Sequence, residues 1–461
     1  MEVIVGVIIL GLIAFGVIDW RKAVIAALFL VVWEGALRKW AVPELHQWVY
    51  FAKDFLLLGA YIRFFAERLF RGERVFFRHP ANPVLVLLTL LSLEQLLNPA
   101  LPNFAIGLFG IKAYLYYMPL MYMTPALFPN YAGLRRIIIV FVLAASIPLS
   151  LGPIQFANPG DSFLNKYAWE DEAAPGVATM GESGGRIRVT GTFSYISGYA
   201  VYLLLLALLE IALLMDEKNA KLRLALYSLV GLTFANLLMT GSRGPFIILI
   251  TAIPAMLLLA AGAKRPGRIK YALTICLVLP AVVGVAGRVF PEAQGVFLDR
   301  AEQAEDTESR FISLVTGPLW ALGEAGVLGY GIGTTHQAMA PLFPYRETTP
   351  PAAEGEWERI ILEVGPIGLL LTLLVRFFVV KRLWDAVMAA RGTEFLPLLS
   401  VALVFILVHI PGNLVFNHTA SFFYWFLAGI ALIPRASRTW EPIRVSDLKY
   451  VGDHVEVGRL R

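Results

Sequence analysis

The chain has a single cysteine, Cys276, in 461 residues, and it lies inside an apolar run. A disulfide framework and a cysteine-rich metal site are both excluded. Charge is scarce as well. Asp, Glu, Lys and Arg make up 16% of the residues, against about 25% in soluble domains. HExxH, a paired-aspartate metal motif and a Walker loop are all missing, and no internal repeat is visible. Inverted halves with broken helices, common in transporters, are not evident either. The first apolar run, Val3–Ile18, follows Glu2 instead of a basic stretch. No small-x-small cleavage site precedes Asp19, so a retained first helix is expected in place of a signal peptide.

What the chain has in quantity is apolar sequence: 58% of its residues are hydrophobic. Runs of roughly 15 to 25 such residues, the length that crosses a hydrocarbon core, recur from end to end. They fall near 2–18, 22–37, 48–65, 83–98, 105–127, 137–154, 192–215, 225–240, 245–262, 271–289, 358–380, 395–413 and 421–434. Uniformly apolar runs exclude an alternating outer-membrane barrel. The expected fold class is all-α: a polytopic transmembrane protein of about 12–13 helices with one large outer loop. Its divisions would be N-terminal helices over 1–154, an outer loop with an arginine motif over 155–191, and central helices over 192–289. A large loop over 290–357, C-terminal helices over 358–434 and a tail over 435–461 complete the chain.

The net charge of +5 does not indicate nucleic acid as a partner, because basic residues in such a chain report orientation first. Lysines and arginines gather at Arg21/Lys22, Arg68–Arg78, Arg135/Arg136, Lys218–Arg223, Lys264–Lys270, Lys381–Arg391 and the tail from Arg435. These connections alternate with the others, so the positive-inside rule makes them cytoplasmic. Arg38/Lys39 is the one misfit, left outside by the count.

Four more arginines fall on the side that should be poor in them: Arg186 and Arg188 in RIRVTGTFS, Arg243 in TGSRG, and Arg310 in DTESRF. Each alone reads as a snorkelling anchor or as a partner for Glu182, Glu305 or Asp306. Together they point to an anionic partner, since the guanidinium fork donates bidentately to phosphate and stays charged.

The outer loop Pro291–Trp357 is too long for a plain connector. Phe311, Leu314, Val315, Leu319 and Leu322 recur at helical spacing, which predicts an amphipathic helix lying on the membrane. GYGIGTTHQ, which contains His336, follows as a glycine-rich turn. The loop ends in EGEWERIILEVGPIG, with Glu354, Glu356 and Glu358 at the mouth of the next helix and Glu363 farther in. Helix capping explains Glu358 and Glu356. Glu354 and Glu363 would either act as a general base or neutralise the arginines. Glu34, Lys53/Asp54, Glu94, Lys112, Glu210 and His409 fall within apolar spans, where ionisable groups are functional candidates. Glu34 with Lys53/Asp54 also fits a structural ion-pair set.

RIRVTGTFS, TGSRG, SRFISLVTGPLWALGEAGVLGYGIG and EGEWERIILEVGPIG, in this order and spacing, are similar to segments of one family. The chain resembles the O-antigen ligase and polysaccharide polymerase superfamily of bacterial envelope proteins. The resemblance covers roughly the C-terminal two thirds. It implies a metal-independent, cofactor-free, inverting glycosyltransferase of the multi-helix membrane (GT-C-like) class in the inner membrane, with its active site on the periplasmic face. The implied donor is an undecaprenyl-pyrophosphate-linked glycan, and the acceptor a glycan or lipid hydroxyl in lipopolysaccharide O-antigen, capsule or exopolysaccharide assembly. Membrane lipid and other polysaccharide-assembly proteins would be its neighbours.

By the same resemblance, Arg186 or Arg188, with Arg243, would hold the pyrophosphate, and Arg310 matches a further arginine. Where ligases carry a histidine, about nine residues before Glu363, this chain has Glu354. Glu354 is therefore expected to take the acceptor proton, with Glu356 and His336 as rivals. Two other classes remain: a transporter or flippase of a lipid-linked or anionic solute, and a non-catalytic subunit of a polysaccharide export complex.

The charge alternation makes a direct prediction. Cysteines placed at Ser183 and Thr307 in a Cys276-free background should react with an impermeant thiol reagent in cells whose outer membrane alone is permeabilised. Labelling only after lysis of the inner membrane would reverse the orientation.

Overall fold

The computed structural model of the chain describes residues 2–74, 76–166, 187–261, 305–336 and 350–433, with a few isolated positions between. Most of the expected span 271–289 lies outside the described residues. So do Arg186, residues 292–304 and 337–349, and the tail 435–461. The regular structure among the described residues is helical, apart from one isolated antiparallel bridge between Thr179 and Ile187.

Five helices are long and apolar enough to cross a membrane: Tyr131–Ala157, Ile196–Leu214, Ala220–Met239, Arg243–Ala261 and Glu356–Ala389. Phe104–Leu115 and Leu120–Leu127 make a sixth if counted together, bent by 43°. Pro119, which supplies no N–H where the second piece begins, sits at the break. Shorter apolar helices are Val3–Ile18, Asn82–Leu97 and Leu396–Val408. The chain is thus a helical, multi-pass membrane protein. The expected spans at 22–37 and 48–65 are the helices Trp20–Ala36 and Ala52–Phe70. Their charges, Glu34, Lys53 and Asp54, are buried within the bundle.

Ile196–Leu214 is the central helix. Its sequence, YLLLLALLEIALL, is apolar on every face, and a helix of that kind must be enclosed. It packs against Ala220–Met239, Arg243–Ala261, Leu396–Val408 and His418–Ile430. Glu210, fully buried on it, accepts a 3.0 Å hydrogen bond from the Thr233 hydroxyl.

The loop helix predicted from apolar spacing runs over Glu305–Ala325. Ala321 on it packs against Ile361 and Leu362, while Val315 and Leu319 stay about two thirds exposed.

The most consequential local feature is a break in the helix Glu356–Ala389. Gly365 there has φ 69° and ψ −179°, followed by Pro366. Proline has no N–H for the Leu362 carbonyl, and the turn at Gly365 removes the helical partner of Glu363. The backbone N–H groups of Tyr330 and Gly331 replace them, reaching Leu362 O at 2.7 Å and Glu363 O at 3.0 Å. The glycine-rich turn is therefore sewn to the kink. On its other side, a Cβ at Gly110 would lie 2.6 Å from the Gly333 nitrogen, so the turn also sits directly on the helix Phe104–Leu115.

A Cβ at Gly365 would approach Val327 O to 2.0 Å in a left-handed conformation. Gly365→Ala should cost on the order of 2 kcal/mol or more and lower the thermal midpoint in detergent. Gly231→Ala, where a Cβ meets nothing within 4 Å, should change it little or raise it slightly. Equal midpoints for the two variants would mean that the kink does not hold the turn.

Candidate functional site

The two outer motifs meet through Arg188. Its Nε donates to Thr240 O at 2.8 Å and its terminal nitrogen to Ser242 Oγ at 3.0 Å. Val189 N donates to Met239 O at 3.1 Å. RIRVTGTFS is thereby laid along the TGSRG turn. Arg243, half-buried at the start of the next helix, makes no hydrogen bond or ion pair among the described residues. Arg310 lies on the loop helix, with its side chain outside the described residues.

The same segment explains Arg38 and Lys39, the misfits of the charge count. They sit in a π-helical turn, Leu37–Ala41, at the end of the second helix, and both are buried. Lys39 Nζ donates to Thr190 Oγ1 at 3.1 Å and Gly191 O at 2.7 Å, and Arg38 donates to Ser194 Oγ at 2.8 Å. They are directed into protein, not into water or headgroups. Neutral oxygens and the Trp40 ring surround the Lys39 ammonium, and burial pushes it down to about 7.

From Arg38 a buried polar run continues inward. Glu34 pairs with Arg38 at 3.8 Å and with Lys53. Asp54, the neighbour of Lys53, pairs with Lys112 at 2.9 Å and accepts from Tyr117 at 2.6 Å. Arg38, Lys53 and Lys112 all lie over the ring of Tyr50, at 5.1, 4.8 and 4.5 Å. The Tyr50 hydroxyl and Lys112 Nζ both reach Nδ1 of His418, the latter at 3.3 Å. His418 stacks on His336 with ring centroids 5.8 Å apart and planes 22° apart, and Phe109 packs edge-on against His336 at 4.6 Å.

His336 owes its place to the residue before it. Thr335 donates from its N–H at 2.9 Å and its hydroxyl at 2.7 Å to one oxygen of Glu363. Arg359, one helical turn before Glu363, donates to Thr335 O at 2.7 Å and stacks 3.6 Å over Phe416. Glu363 and Arg359 together fix the turn. Burial, helped by the nearby cations Arg359 and Lys112, pushes the His336 imidazole down to about 3, so it is neutral at physiological pH.

The three loop glutamates have separate fates. Glu354 is exposed and makes no hydrogen bond or ion pair among the described residues. Glu358 reaches back to Gly355 N at 3.3 Å as a cap. Glu356 is buried, with its carboxylate fully engaged by Arg376, Leu414 N and Val415 N, each at 2.7 Å. It ties the mouth of its helix to the segment leading into His418–Ile430.

Sequence reasoning brought out Glu34, Lys53, Asp54 and Lys112 as intramembrane charges, and the Glu34–Lys53 pair is present. It missed His418 and Arg359. The available signal for His418 was its position directly after Asn417, whose side chain caps the helix at Ala420 N. No protein-family model and no curated protein matches the chain.

Stability should separate the two neighbouring glutamates. Glu356→Gln leaves Arg376 buried without its counter-ion and should cost about 3–5 kcal/mol. Glu354→Gln should stay within about 0.5 kcal/mol of the parent. Thermal unfolding in detergent reads both, and an unchanged midpoint for Glu356→Gln would remove the structural role assigned to it.

Proposed function

We propose that the chain is a glycan polymerase or ligase of the GT-C-like membrane class. It transfers a glycan from a lipid diphosphate, of the undecaprenyl pyrophosphate type, to an acceptor hydroxyl at the periplasmic face of the inner membrane. What carries this reading is the continuous buried polar run that joins the arginine motif to the glycine-rich turn. It passes from the Arg188 segment through Arg38, Glu34, Lys53, Tyr50 and His418 to His336.

In this reading the acceptor oxygen attacks the anomeric carbon as the bond to the diphosphate breaks, and the configuration inverts. The leaving diphosphate keeps the electron pair, and fixed arginines at a poorly hydrated boundary stabilise that charge. Arg188, bonded to Thr240 O and Ser242 Oγ, and Arg243, the residue after Ser242, would supply that charge. The acceptor proton goes to a base. Glu356 has no free oxygen for it, so the role falls to His336, with Glu354 as the rival. His336 is a weak base chiefly because it is buried, and further because Arg359 and Lys112 lie near it. A bound diphosphate offsets the two cations and so raises the basicity of the imidazole. Donor binding and base activation are then one event.

The transporter reading draws on the same buried charges, since ion-pair chains inside a bundle also serve ion coupling. Transfer assays with lipid-linked donor decide between the two. Arg188→Ala and Arg243→Ala should abolish polymer or ligation product in protein that still inserts. Arg188→Lys should slow transfer by roughly thirtyfold to a thousandfold. His336→Gln should lose about a hundredfold to ten-thousandfold, with Glu354→Gln nearly unchanged. Full product from both alanine variants would reduce the arginines to anchors. An inactive Glu354→Gln beside an active His336→Gln would move the base to the loop mouth.

A further inference from the structure

We infer that His418 is a hydrogen-bond donor to a phosphate-class oxyanion bound beside His336, with its tautomer set by Lys112 and Tyr50. Nδ1 of His418 faces Lys112 Nζ at 3.3 Å and the Tyr50 hydroxyl. Lys112 pairs with Asp54 at 2.9 Å and lies over Tyr50, Phe51 and Phe109 at 4.5, 4.6 and 5.3 Å, as an ammonium does. An ammonium has donors only, so Nδ1 must accept. A neutral imidazole then carries its one proton on Nε2.

That nitrogen is buried and has no hydrogen-bond partner among the described residues, in a residue that is 8% exposed. A buried N–H with nothing to donate to is rare in folded proteins. The donor belongs to a ring stacked on His336, and His336 lies within electrostatic reach of both Lys112 and Arg359. The Lys112 side chain keeps 11% exposure and His336 is half-buried, so solvent reaches the cluster at those two residues.

An oxygen accepting from that N–H would lie in the field of Lys112 and Lys53, the cations within electrostatic reach of His418, which favours an anion over a hydroxyl. A phosphate oxygen is the matching chemistry, from the diphosphate of a lipid-linked donor or from a phospholipid headgroup. The inference depends on the transferase reading for its substrate, though not for the site itself.

The test is ¹⁵N-histidine NMR of the full chain in a maltoside detergent, which carries no phosphate, read before and after adding inorganic pyrophosphate. Six histidines are present, and the His418 signals are those lost in His418→Gln or, if that variant does not fold, in His418→Asn. The expected result is an Nε2–H tautomer whose Nε2 resonance moves with pyrophosphate while Nδ1 stays. With the His336 signal as reporter, His418→Phe should weaken pyrophosphate binding roughly tenfold or more, and His418→Gln, which keeps an N–H, clearly less.

A shift already present in phosphatidylglycerol nanodiscs without pyrophosphate assigns the oxyanion to a headgroup, and its absence there assigns it to the diphosphate. A proton on Nδ1, or an Nε2 resonance that no anion moves, overturns the inference. Transfer activity in a protein whose His418 is silent would keep the transferase reading and discard this one. A responsive His418 in a protein without transfer activity would do the reverse.

Discussion

A charge enclosed by apolar helices has to find a partner there, and the arrangement of the N-terminal half follows from that constraint. Glu34, Lys53, Asp54 and Lys112 come from three different helices and are all buried or nearly so. Removing such groups from water costs several kcal/mol per ion, and replacing a buried pair by apolar side chains is often no loss to stability. What the pairs do supply is position. Glu34 with Lys53 fixes the second helix against Ala52–Phe70, and Asp54 with Lys112 fixes that helix against Phe104–Leu115. Tyr50 and His418 then bring in His418–Ile430. At the opposite end of the central helix, Arg135 pairs with Glu217 at 2.5 Å in a more exposed setting. Such a pair contributes about 1 kcal/mol at most.

The second constraint is the accounting of backbone groups. A membrane-embedded carbonyl without a donor is costly, so a helix broken at Gly365–Pro366 needs a replacement for each lost bond. The glycine-rich turn supplies two N–H groups, which obliges it to lie against the kink. Glu363 and Arg359 then take hold of Thr335. His336 comes next in the chain and has little choice of location. A break in one helix thus places an imidazole beside a charge network built by three others.

This explains which parts could be read from sequence. The all-helical, multi-pass character follows from composition and run length. The loop helix followed from its apolar spacing, since a 3.6-residue period is local. The buried status of Ile196–Leu214 was legible in its unbroken leucines. Arg38 and Lys39 were not, because a cation count assumes that cations face water or headgroups. These two face Thr190, Gly191 and Ser194, more than 150 residues away. Glu356 read as a helix cap and Glu354 as the candidate base, and nothing local showed that Glu356 is the buried one of the two. Only the approach of Leu414 and Val415 separates them, and no local pattern encodes it. His418 was invisible for the same reason: its partners lie on three other segments.

One-sidedness bears on the choice between moving a solute and transforming one. A transporter needs its binding groups to be reachable from both faces in turn, through discontinuous helices near the middle of the membrane. Here Arg188, Arg38, Lys53, Lys112, His418 and His336 belong to one connected polar run, with Arg38, Lys53 and His418 close to helix ends. The far ends of the same bundle hold other contacts, Arg135 on Glu217 and Arg382 on the carbonyl of Ala431 at 2.9 Å. Between these two ends the central helix is closed by leucine, with Glu210 as its one acidic residue, bonded to Thr233. A charged solute would have no polar path along that helix. A lipid-anchored diphosphate needs none, because its tail stays in the bilayer while its charged head meets cations at one face. A connected run of cations beside an apolar central helix favours the proposed transfer over transport.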